Sequence, residues 1–258
     1  MNEHTLKFFG EELAQLKAEV ARMGGLVEAQ VSDAVAAVAE RDVGLSQTVI
    51  GRDEKIDALQ RDIEKKAIRM IALRQPVAQD LRRTVGAMKL SLNLERAGDY
   101  AKNIAKRALV IAESDPMTPL TRSVERMGKL VVLRLKDALD AYTSGDLERA
   151  VGVWKNDEEV DEHYNSLFRE LLTYMMSDPR TISACAHLLF VAKNLERIGD
   201  YATSVAEIIH YEVTGDEIEG ERPKWSGVGG ETTATGAPRD PIRPGGGGRG
   251  RSGHPPEI

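Results

Sequence analysis

The chain lacks most of what would staple, span or close a fold. Cys185 is its only cysteine among 258 residues, so no intrachain disulfide can form, which fits a reducing cytosol. Aromatics make up 5%, and the abundant Ala, Leu, Val, Glu, Lys and Arg suit long helices better than sheet. Proline is missing from residues 1–75, 77–115, 120–178 and 180–222. An interior proline would break a helix, so each of these spans can carry long uninterrupted ones. No run approaches the ~18 apolar residues of a membrane span. Residues 1–12 mix charge with short apolar pieces and make no signal-peptide core. The chain therefore reads as soluble, meeting a membrane only through partners. A formal net charge of −6 argues against a general nucleic-acid surface. Phosphate-loop, dinucleotide-fold, zinc-finger and nucleophile-elbow patterns are also absent.

What the chain does have is a repeat. Asn-Leu-Glu-Arg-x-Gly-Asp-Tyr-Ala occurs at residues 93–101 and again at 194–202, identical at eight of nine positions. Upstream, Arg22-Met23-Gly24 matches Arg126-Met127-Gly128, Asp42 matches Asp146 and Asp53 matches Asp157, all offset by 104. At the signature the offset is 101, so three residues are lost between, most simply in the turns near Pro76 and Pro179. The period is too long for a solenoid of short units.

Each half predicts three helices. Phe9, Leu13, Leu16, Val20, Met23, Val27, Val31, Val35 and Val38 recur at three and four, the apolar stripe of a helix over 5–40. Asp42 and Gly44 mark a turn. A second helix runs to 74, and a third opens at Pro76 and ends near 112, before Ser114-Asp115-Pro116. The expected architecture is all-α: two tandem three-helix bundles over 1–115 and 116–213. A disordered tail is expected over 214–258. Residues 215–258 hold 12 of the 23 glycines and six of the ten prolines, a composition that cannot bury a core.

The candidate site is acidic. Glu95 and Asp99 recur as Glu196 and Asp200, and Asp53 and Asp57 as Asp157 and Asp161. Carboxylates four apart share a helix face and repel, which costs stability unless a cation lies between them. Gly98 and Gly199, weak residues inside a helix, point to close backbone approach. In an antiparallel hairpin, residues equidistant from the turn lie at one height. The motif midpoints, 55 with 97 and 159 with 198, average 76 and 178.5, at Pro76 and beside Pro179. Four carboxylates at one level are expected to hold a hard cation such as magnesium, manganese or iron. The alternative is a solvated, salt-bridged face: Lys102 and Lys193 lie near Asp99 and Glu196, but neither base is kept in the other half. Glu207-x-x-His210 matches half of a ferritin-like di-iron motif and has no counterpart, so it reads as incidental. His163 reads as surface, Cys185 and His187 as core, and Asp80 as an acid favouring a helix N-terminus.

Arg22-Met23-Gly24-Gly25, Arg74-Gln75-Pro76 with Asp80-Leu81-Arg82, the two Leu-Glu-Arg-x-Gly-Asp signatures and Thr173-Tyr174-Met175-Met176 together resemble the PhoU family over about residues 5–213. The resemblance implies paired three-helix bundles and metal at the Asp53, Asp57, Glu95, Asp99 and Asp157, Asp161, Glu196, Asp200 sets. It implies a non-enzymatic negative regulator of the phosphate regulon. Such a regulator would be cytoplasmic and peripheral to the inner membrane. It would couple the ATPase subunit of a phosphate ABC transporter to a sensor histidine kinase, and would often be a homodimer. A ferritin-like carboxylate metal oxidoreductase is the alternative, and it would need paired Glu-x-x-His motifs.

Overall fold

The computed structural model of the chain describes residues 3–220, with side chains from Phe9 onward. Helices α1 (Glu3–Glu40), α2 (Val43–Arg74) and α3 (Ala78–Ala112) form the first half. Helices α4 (Thr118–Ser144), α5 (Leu147–Lys155), α6 (Glu158–Ser177) and α7 (Ile182–Thr214) form the second, with a short 3₁₀ turn at Pro179–Thr181. No strand occurs among the described residues. The expected ends at Glu40, Arg74 and Ala112 are where the helices stop.

Local chemistry sets these ends. Asp42 accepts a hydrogen bond from Leu45 N at 2.9 Å and caps α2; its counterpart Asp146 does the same for α5 through Arg149 N at 3.0 Å. Gly145, at φ +72°, turns the chain between α4 and α5. Its counterpart Arg41 adopts φ +58°, a strained value for a residue with a side chain. The Arg41 guanidinium reaches Ala112 O at 2.8 Å and also Ser114 O, satisfying carbonyls at the end of α3.

Two expectations about helices need correction. Pro76 does not open α3: Gln75 takes a left-handed conformation as the C-cap of α2, Val77 is the N-cap, and α3 begins at Ala78. The middle helix of the second half is broken at Asn156, which C-caps α5 with its backbone N–H on Val153 O and donates from its side chain to Gly152 O at 2.7 Å. Arg52 stands at the matching place in the unbroken α2.

Each half is a helical bundle, and the two pack along α3 with α7 and α1 with α4. The described residues belong to one compact unit. The contacts at the α1–α4 crossing are reciprocal. A Cβ at Gly24 would lie 2.4 Å from Leu139, and one at Gly128 would lie 2.5 Å from Val35. Leu139 is Val35 carried on by 104 positions, as Gly128 is Gly24. Along α3 and α7, Tyr100 and Tyr201 of the two signatures stack with ring centroids 5.9 Å apart. Gly98 and Gly199 admit Ile56 and Val160, at 3.3 and 3.1 Å from where a Cβ would stand. These too are counterparts, so the close approach expected of both glycines is made by the helix before each signature.

Residues 221–258, most of the tail expected at 214–258, lie outside the described residues. Its first part does not fit the expectation. Thr214 ends α7, Gly215 closes it in a left-handed cap on Tyr211 O, and Ile218 packs against the core. Truncation after Gly220 should leave the thermal midpoint unchanged. Truncation after Val213 removes the cap and Ile218, and should cost about 1–2 kcal/mol, a fall of roughly 2–8 °C for a domain of this size. Equal midpoints for the two truncations would show that residues 214–220 contribute nothing.

Candidate functional site

The first acid set is divided between two neighbouring helices. Asp53 and Asp57 lie on α2, Glu95 and Asp99 on α3, and each side feels the other's charge. Burial raises the Asp57 carboxyl above its ordinary value, and Asp53 and Asp99 raise it further. Burial likewise raises Glu95, followed by Asp99 and Asp57.

Within this set Asp53 is 2% exposed, and both its oxygens are engaged. Gln30 Nε2 donates to Oδ1 at 3.4 Å and also to Gly98 O at 3.2 Å. The Lys102 ammonium pairs with Oδ2, and lies 3.5 Å from Asp99 Oδ1. The salt-bridged alternative is thus partly realised, with Lys102 reaching across to α2 as well as back to its own helix. Hydrogen bonding to Asp53, above all, raises the lysine above its ordinary range and keeps it charged.

The second set is built differently. Asp157 stands at the start of α6, 8% exposed, and accepts from Thr203 Oγ1 at 2.7 Å. Thr203 is the counterpart of Lys102, so α7 offers Asp157 a hydroxyl where α3 offers Asp53 an ammonium. Asp161 lies in the first turn of α6 and Asp200 on α7, half-buried. Glu196 pairs with Lys193 Nζ at 2.6 Å. Arg134 occupies the place equivalent to Gln30 and pairs with Glu159.

Among the described residues, no group of three or more His, Cys, Asp or Glu is gathered closely enough to hold a metal ion. With Lys102 seated in it, the first set does not fit a metal. The second retains hard oxygen donors with a neutral hydroxyl at that place.

The other candidates resolve simply. Glu207 accepts from Trp154 Nε1 at 3.2 Å, and His210 Nδ1 lies 3.0 Å from Asp216 O; the two serve different contacts. His163 is exposed and Cys185 buried. His187 departs from the core expectation: it is half-buried, with Nδ1 3.2 Å from Arg107 Nη1. Asp80 sits in the first turn of α3. Gln30 was not among the expected site residues. The available signal was an amide between Val27 and Val31 on an otherwise apolar stripe.

Two halves of one design, each carrying the signature and its paired acids, match a known family along most of the chain. The family model described as "PhoU domain" matches residues 20–108 and again 124–209. The chain belongs to the PhoU family. It is similar to the "phosphate-specific transport system accessory protein PhoU homolog" of Caulobacter vibrioides, 67% identical over 87% of this chain and 97% of that one. The protein of the same name from Rhizobium meliloti is 48% identical, over 86% and 93%. The crystal structure of PhoU from Pseudomonas aeruginosa superposes with a TM-score of 0.78 at 39% identity, covering 81% of this chain and 100% of that one. The phosphate transport system regulatory protein PhoU from Streptococcus pneumoniae gives 0.76 at 30% identity, over 82% and 99%. No helix of the described residues is long and apolar enough to cross a membrane.

Proposed function

We propose that the protein is a non-enzymatic accessory protein of a phosphate-specific transport system and holds the phosphate regulon quiet when phosphate is ample. The observation that carries this reading is the family match over both halves, with relatives named for that transport system. In this role the protein is cytoplasmic and joins the membrane through partners: the ATPase subunit of the transporter and a sensor histidine kinase. It works as a homodimer. The duplicated carboxylates are its cation-binding elements. Asp157, Asp161, Glu196 and Asp200 would hold iron, manganese or magnesium in the second half. In the first, Asp53, Asp57, Glu95 and Asp99 are in competition with Lys102. A bound ion would neutralise the acids and clamp α6 to α7. The ferritin-like oxidoreductase reading loses its support, since Glu207 and His210 face different partners.

Deletion of the gene should raise alkaline phosphatase output in phosphate-rich medium, and the wild-type gene supplied in trans should restore repression. A deletion strain whose phosphatase still follows phosphate normally would remove the regulatory reading.

A further inference from the structure

The first acid set carries its own counter-ion. We propose that the Lys102 ammonium takes the place of a metal ion in the first half, closing the Asp53, Asp57, Glu95 and Asp99 set to metal. The inference concerns the same sets that the proposed function treats as cation-binding, and rests on that reading.

Several observations converge on this. The Lys102 Nζ bridges Asp53 on α2 and Asp99 on α3, the two helices that an ion at this level would join. One of its partners is a carboxylate almost wholly removed from water, which is costly to leave unpaired. Gln30 takes the second oxygen of Asp53 and is itself tied to Gly98 O, so Asp53 is not free to turn toward an incoming ion. A divalent ion would therefore have to expel the ammonium and strip the amide. At the equivalent place in the second half, Thr203 donates a neutral hydrogen bond to Asp157, and the lysine of that set, Lys193, pairs with Glu196 on its own helix. Lys102 and Thr203 thus stand at one place beside acids matched position by position, with Gln30 and Arg134 also differing around them.

The test counts manganese(II) bound at equilibrium, by electron paramagnetic resonance, to full-length wild type, Lys102→Thr and Lys102→Gln. Lys102→Thr copies the second half, and Lys102→Gln keeps a long donor should the first variant fold poorly. Each variant should bind one more equivalent of Mn²⁺ than wild type, or bind one at least ten-fold more tightly. In chelator, each should melt below wild type, because Asp53 has lost its cation, and Mn²⁺ should raise its midpoint more than that of wild type. A wild type that binds no Mn²⁺ beside a Lys102→Thr variant that binds one would support Lys102 as the closing cation while removing the metal assignment of the second half. Equal equivalents at equal affinity in all three proteins, including none in any, would overturn the proposal.

Discussion

Replacing Glu212 by Gln should flatten the loss of stability with rising pH. Glu212 lies near the end of α7, 8% exposed, beside Gly86 of α3. Only glycine allows this, since a Cβ at position 86 would stand 1.8 Å from Glu212 Oε1. That oxygen has no hydrogen-bond partner among the described residues. Burial pushes the carboxyl up to about 8, although Arg83 and Lys17 pull the other way. Tyr142 from α4 and Asp80 from α3 line the same cavity. In the unfolded chain the carboxyl titrates near 4.5. Between these two values the folded state holds a proton that the unfolded state has released. The contribution is therefore fully present below about 4.5 and is lost progressively as pH rises toward 8. The full loss is on the order of 5 kcal/mol. Urea unfolding at pH 5, 6.5 and 8 should show Glu212→Gln gaining on wild type at each step, with most of that gain in place by pH 8. Asp57 and Glu95 shift in the same direction but are common to both proteins and cancel in the comparison. Parallel pH profiles would mean that Glu212 is hydrated and ordinary.

Gly128→Ala should destabilise the protein by about 1–3 kcal/mol, the usual range for overpacking a filled core. The new methyl would meet both Cγ atoms of Val35, at 2.5 and 2.6 Å. Valine is stiff about χ1 and cannot swing aside. Gly24→Ala should cost less, because the atom it meets at 2.4 Å is the terminal Cδ2 of Leu139, the flexible end of a longer side chain. Val35→Ala should partly rescue Gly128→Ala, so that the double variant loses less than the sum of the singles. Strict additivity in denaturant titrations would contradict a direct contact across α1 and α4.

Helix ends, and the facing of Asp57 and Glu95 across α2 and α3, were legible in the sequence because both follow from spacing. Asp42, Pro76 and Pro116 punctuate the apolar stripes, and hairpin symmetry returns the turns. The break between α5 and α6 was missed because neither a proline nor a change of apolar period marks it. The cation inside the first set was missed for a different reason. Equal distance from a turn gives height along a bundle but not which way a long side chain reaches. The sequence paired Lys102 with Asp99, its neighbour three residues back; the folded chain pairs it more closely with Asp53, on another helix. Gln30 was hidden by its own surroundings, since an amide inside an apolar stripe reads as a flaw until its partners are seen.

The reciprocal contacts between α1 and α4 bear on how such a chain arises. Gly24 is the socket for residue 139, and Val35 is the knob for residue 128. Because 139 and 128 are the counterparts of 35 and 24, a single half already carries both a knob and its socket. Two copies of that half, turned about a two-fold axis, would satisfy each other as the subunits of an isologous dimer do. The present chain has the form of such a dimer with its subunits joined end to end. Once joined, the copies no longer had to be identical, and a lysine in one could become a threonine in the other without either change being imposed twice.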